Sequence, residues 1–128
     1  MNFDRIVIVD WSAAGKPSPA RPSADAIWIG TAEVATGSVS DRYHRTRRSA
    51  EADLHARVSA ALIRGERLLI GADFAFGYPS GFAHALTQTR SALAVWDWLE
   101  ARSEDAADNG NNHTLVVRRC NKFERLAR

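Results

Sequence analysis

The chain has 128 residues, 45% of them apolar and 25% charged, and a formal net charge of +2. That is enough chain to bury a core, and the charge is too small to imply a nucleic-acid or membrane partner by itself. The fifteen Arg and two Lys reflect a compositional bias of the kind a GC-rich genome produces, and the single Cys120 excludes an internal disulfide. No apolar stretch approaches 18 residues and no leader-like pattern opens the chain, so the expectation is a cytoplasmic protein with no membrane partner.

Residues 4–10 contain four consecutive β-branched residues, Ile6 to Val9, and read as a buried strand that closes on Asp10. Residues 12–25 hold three of the four prolines, Pro17, Pro19 and Pro22, and read as an extended, exposed loop, either functional or a mobile surface segment. Residues 26–34 alternate with a period of two and form a second strand. Thr36-Gly37-Ser38 is a turn, and residues 39–46 are a half-exposed antiparallel third strand whose Ser40, Arg42, His44 and Thr46 form a polar set.

Ser49 is expected to start a helix over 50–64, with Glu51 and Asp53 in its first turn and an apolar face of Leu54, Val58, Ala61 and Leu62. Gly65 ends it as a left-handed cap. Residues 67–73 are apolar almost throughout and read as a strand buried on both faces, closing on Asp73. An aromatic, glycine-containing loop follows, with Ser80 and Ser91 as candidate helix caps. Residues 91–102 carry Leu93, Trp96 and Leu99 at helical spacing, 104–112 are a polar loop, Leu115-Val116-Val117 suggest a fifth strand, and 121–128 look helical. The chain stops inside that helical pattern without a stop signal, which suggests a single domain over 1–128 truncated at its C-terminus. An incomplete domain exposes a sheet edge or an apolar helix face, and from that follows an expectation of a homodimer.

Three antiparallel strands, a helical crossover and a strand parallel to the first make an α/β mixed sheet flanked by helices. That order brings the ends of the first and fourth strands, hence Asp10 and Asp73, to one sheet edge. Two carboxylates there suit Mg²⁺ or Mn²⁺, which take oxygen ligands, or an acid/base pair; the alternative is that each makes a turn or caps a helix. Ser12 and Lys16 are candidates for phosphate or substrate binding, although a lone Ser in such a turn also serves the turn itself. Gly15-Lys16-Pro17 lacks the earlier Gly and the Ser or Thr of a phosphate loop. The basic run Arg42, His44, Arg45, Arg47, Arg48 either tracks a nucleic-acid backbone or is a solvated strand edge. The four His lack metal-ligand spacing and read as structural or surface residues, and Trp11 and Trp28 as core or pocket walls.

The stretches Val9-Asp10-Trp11-Ser12 and Ile70-Gly71-Ala72-Asp73-Phe74-Ala75-Phe76-Gly77-Tyr78-Pro79, in this order of elements, resemble the ribonuclease H-like superfamily. More closely they resemble the uncharacterised bacterial proteins grouped as domain of unknown function 429. The resemblance covers roughly residues 4–128. It implies a ribonuclease H-like fold in which Asp10 and Asp73 bind Mg²⁺ or Mn²⁺ and activate water for phosphodiester cleavage, with Glu124, in Asn121-Lys122-Phe123-Glu124, as a third catalytic carboxylate. It further implies nucleic acid or a phosphorylated small molecule as substrate. Actin-like ATPases share the topology, so a nucleotide-binding domain is the competing expectation, and a non-catalytic interaction module is a third.

Overall fold

A computed structural model describes residues 3–74 and 77–111. The chain is α/β, in the order β1 (Arg5–Asp10), β2 (Ile27–Glu33), β3 (Val39–His44), α1 (Arg47–Arg64), β4 (Leu68–Ala72), α2 (Phe82–Thr87) and α3 (Ala92–Glu100). The expected fifth strand, terminal helix and Glu124 lie outside the described residues. The described residues fall into two compact units: one holds 3–74 with 107–109, the other 77–106 with 110–111.

The first unit holds the sheet, in the order β3-β2-β1-β4. β1 pairs antiparallel with β2, Val9 opposite Ile29 and Asp10 opposite Trp28, and β2 pairs antiparallel with β3. β4 returns parallel to β1, with Val7 beside Ile70 and Val9 beside Ala72. Because side chains alternate across a strand, Val7, Val9, Ile27 and Ile29 share one face. They pack with Ala50 of α1 into the core, against which Trp11, Leu54, Leu68 and Ala72 lie. On the opposite face Ile8 is 56% exposed. Gly71 stands beside Ile8 there, and a Cβ on it would come within 3.1 Å of Ile8 Cδ1, so the absent side chain leaves room for the isoleucine.

Four expectations change. β4 is not buried on both faces: Leu69 and Ile70 point to opposite sides and are 40% and 42% exposed, because β4 is an edge of the described sheet. The helix starts earlier, at Arg47, with Thr46 as its N-cap accepting from the Ser49 backbone N–H at 3.2 Å, so its first turn contains no acidic residue. Its inner face is Ala50, Leu54 and Ala61, and Leu62 is exposed with Ile63. The Gly65 cap is as expected, left-handed with φ +66°, its N–H directed to the Ala61 and Leu62 carbonyls. The polar set of β3 does not face away from the core: Arg42 and His44 lie opposite Ile29 and Ile27, on the side that α1 covers.

The second unit packs α2 on α3 around Leu86 and Val95, both buried. Leu93, expected inside, is exposed, since the buried stripe of α3 runs through Val95. Neither serine caps a helix through its side chain. Gly81 precedes α2, and Ser91 precedes α3 with its hydroxyl uninvolved in the cap. Tyr78 stacks on Phe82 and meets Trp96 at 5.8 Å.

Candidate functional site

The site is built by two strand ends. β1 runs through Ile6–Val9 and surfaces at Asp10, and β4 surfaces one residue past Ala72. The Asp73 N–H donates to the Val9 carbonyl at 3.2 Å, which carries the parallel ladder one step beyond the last pair. Adjacent strands lie ~4.8 Å apart, so the Asp10 and Asp73 backbones stand side by side on neighbouring strand ends. Alternation sends both carboxylates to the sheet face opposite α1, and both residues are exposed.

The two acids are not equivalent. Asp73 Oδ1 accepts the Trp11 backbone N–H at 2.9 Å, so this carboxylate also fastens the turn that follows β1 to the end of β4. Trp11 and Phe74 meet edge to face, centroids 6.3 Å apart, beside that bond. Among the described residues no hydrogen bond engages Asp73 Oδ2 or either Asp10 carboxylate oxygen. Three hard carboxylate oxygens at one edge are a donor set that suits Mg²⁺ or Mn²⁺, which retain water in their remaining positions. Among the described residues no group of three or more His, Cys, Asp or Glu is placed to hold a metal ion.

Ser12 takes the turn role. Its hydroxyl donates to the Asp25 carbonyl at 3.4 Å and accepts the Ala14 N–H at 3.3 Å. Lys16 is exposed, and its carbonyl, not its ammonium, is what the fold uses, accepting from Asn109 Nδ2 at 3.3 Å.

The proline-rich loop after Asp10 is tied down along its length. The Ser18 N–H donates to the Arg45 carbonyl at 2.9 Å, and Arg45 Nε returns a bond to the Ser18 carbonyl at 2.8 Å. Tyr43 donates to the Pro19 carbonyl at 2.7 Å, and Trp28 Nε1 to the Ser23 carbonyl at 2.9 Å. Tyr43 and Trp28 are themselves in ring contact at 5.2 Å. Buried Arg47 donates to the Ala14 carbonyl and the Asn109 carbonyl, both at 2.8 Å. Asn109, buried in a left-handed conformation with φ +68°, accepts the Arg47 N–H at 2.8 Å and donates to Lys16 and Arg45 carbonyls. Sequence reasoning missed this residue. The stretch 104–112 reads as a polar loop, and nothing local announces that the Asn109 side chain reaches the start of α1.

These bonds also engage part of the basic run Arg42–Arg48. Arg45 and Arg47 are committed to loop carbonyls, and Arg42 is ion-paired with Asp53 at 2.8 Å. His44 is buried, its Nδ1 3.1 Å from Ser49 Oγ and its Nε2 3.3 Å from Asp53 Oδ2. Burial pushes the His44 pKa below its ordinary value against the pull of Asp53. Burial also raises the Asp53 carboxyl, but the Arg57 hydrogen bond and the charges of Arg57, Arg42 and His44 outweigh it and hold the acid below the usual range.

In the second unit, a cavity of about 650 Å³ opens beside Tyr78, Ser80, His84 and Arg90. No helix among the described residues is long and apolar enough to cross a membrane. No family model matches the chain, and no curated protein or solved structure matches it either.

Proposed function

We propose that this chain is a ribonuclease H-like, divalent-metal-dependent hydrolase of phosphodiesters, with nucleic acid or a phosphorylated small molecule as substrate. The observation that carries the reading is the placement of Asp10 and Asp73 on neighbouring ends of the parallel pair β1 and β4, within the sheet order β3-β2-β1-β4. Asp10, free of any role in the turn hydrogen bonds described above, is the principal ligand to Mg²⁺ or Mn²⁺. Asp73 contributes its second oxygen while its first holds the turn at Trp11. Glu124 is the proposed third carboxylate. When bound, the cation supplies positive charge to a phosphoryl oxygen and orients it. In this reading Lys16, exposed on the loop after Asp10, adds charge towards a phosphate, whereas Ser12 shapes the turn.

Calorimetric titration with Mn²⁺ tests the site. Wild type should bind saturably, and Asp10→Asn should weaken binding at least tenfold, with cleavage of a fluorescent oligonucleotide lost in parallel. Equal Mn²⁺ affinity in the two proteins would sink the proposal.

A further inference from the structure

On its α1 side, the sheet leaves an opening near one margin of the helix. There the helix presents Ala56 and Ala60 instead of large side chains, and a cavity of about 270 Å³ remains between helix and strands. Its walls include Arg5 from β1, Arg42 from β3, and Arg57 and Arg64 from α1, with Thr31 of β2 and Asp53. Four guanidinium groups from three separate elements thus converge on one hollow.

They are held in place and only partly neutralised, four cations against three carboxylates. Arg5 is fixed by Glu33 at 2.7 Å and Glu66 at 2.8 Å, and Arg64 by the same Glu66 through two nitrogens. Arg57 is fixed by Asp53 at 2.9 Å and by a short bond to the Thr31 hydroxyl, and Arg42 by Asp53 at 2.8 Å. Three carboxylates position four cations, and only one of those carboxylates, Asp53, lines the cavity. Each guanidinium keeps nitrogen that donates to no described partner: Nη2 of Arg5, Arg42 and Arg57, and Nη1 of Arg64. Planar forks with spare donors around a small space match the tetrahedral oxygens of phosphate, and guanidinium–phosphate hydrogen bonds are among the strong charge-assisted kind.

We propose that this cavity binds a small phosphate dianion, either inorganic phosphate or the terminal group of a phosphomonoester. It lies on the α1 face of the sheet, whereas Asp10 and Asp73 leave by the other face, so the proposal does not rest on the hydrolase reading. The carboxylate clamps set the guanidinium positions before the ligand arrives, which lowers the ordering cost of binding.

The test is calorimetric titration with inorganic phosphate, and separately with adenosine 5′-monophosphate, at low ionic strength. Four proteins are compared: wild type, the double variant Arg42→Gln/Arg64→Gln, Ala60→Leu and Asp10→Asn. Arg42 and Arg64 have side chains 60% and 47% exposed, so their replacement leaves the core untouched. Wild type should bind one phosphate saturably. The double variant should bind at least tenfold more weakly. Ala60→Leu, which fills the space without changing charge, should abolish binding, and Asp10→Asn should bind like wild type. If Ala60→Leu does not fold, Ala56→Leu serves the same purpose. Nucleotide binding as tight as that of phosphate identifies a phosphomonoester site, and binding of phosphate alone identifies a free-anion site. No saturable binding to wild type at millimolar phosphate, or undiminished binding to the folded leucine variant, overturns the proposal.

Discussion

Asp73 carries two tasks on two oxygen atoms, and substitutions can separate them. Asparagine retains an Oδ1 to accept the Trp11 N–H but loses the charge that a cation needs. Alanine loses both. Asp73→Asn should therefore keep most of the stability of the wild type while losing Mn²⁺ affinity, and Asp73→Ala should in addition be about 1 kcal/mol less stable in urea. Equal stability of the two variants would show that the hydrogen bond to Trp11 does not hold the turn. The carboxylates themselves are legible in the sequence, since an acid straight after a run such as Ile6–Val9 marks where a strand surfaces. The hydrogen bond to Trp11 is not, because it joins backbone and side chain across 62 positions. The same holds for Asn109, whose partner Arg47 is also 62 positions away and whose importance comes from its burial and its hydrogen bonds.

Among the elements, the strands were the easiest to read. β-branched runs and period-two alternation place all four within a residue or two of where they lie. The start of α1 was harder, for a physical reason. Arg47 and Arg48 occupy its first turn, where the positive end of the helix dipole disfavours cations, and Glu51 and Asp53 drew the reading towards a later start. The fold tolerates the arginines because Thr46 caps the Ser49 N–H and Asn109 Oδ1 accepts the Arg47 N–H. Thr46→Ala should cost about 1 kcal/mol of stability, as the loss of a side-chain N-cap does, and Thr46→Ser should restore most of it. Chemical denaturation of the pair measures this, and a neutral Thr46→Ala would mean that Asn109 suffices. The inner face of α1 was also only partly visible. Its apolar spacing pointed to Leu62, but the buried stripe runs through Ala61 and leaves Leu62 and Ile63 exposed.

At the scale of the molecule, several acids are depressed together. Hydrogen bonds from Arg64 and Arg5 bring Glu66 down to about 2, the Arg67 backbone N–H lowers Asp4, and Asp53 is lowered as described. A carboxyl whose folded pKa lies below its unfolded one stabilises the fold above the unfolded value, and that contribution is lost as pH falls through the folded value. His44 acts in the same direction: its folded pKa lies below the unfolded value of about 6.5, so its contribution is complete above that pH and fades as the solution is acidified. Thermal melts should give a midpoint that is steady above about pH 6.5, declines below it, and falls more steeply between about pH 4.5 and 2 as Glu66 protonates. Glu66→Gln should flatten the lowest part of that curve. A midpoint independent of pH below neutrality would contradict the described ion pairs. The mixed character of the sheet was legible from element order alone. The two-unit organisation was not, because it depends on which distant segments pack, and no local pattern encodes that.

The parallel seam between β1 and β4 also sets an order of events during folding. β3 joins β2 through a short turn and can pair early, and β2 reaches β1 across the proline-rich loop, a shorter span than the one to β4. β4 must wait for α1, and Arg5 meets Leu68 only after the whole intervening chain has been gathered. Loop closure grows costlier by ~0.6 kcal/mol with each doubling of length, which places this pairing late. Until it forms, β1 offers an open edge of Ile6, Val7, Ile8 and Val9, the most β-prone stretch in the chain, to any other strand in reach. The same step that brings Asp73 beside Asp10 removes that hazard, so completion of the candidate site and protection from aggregation coincide.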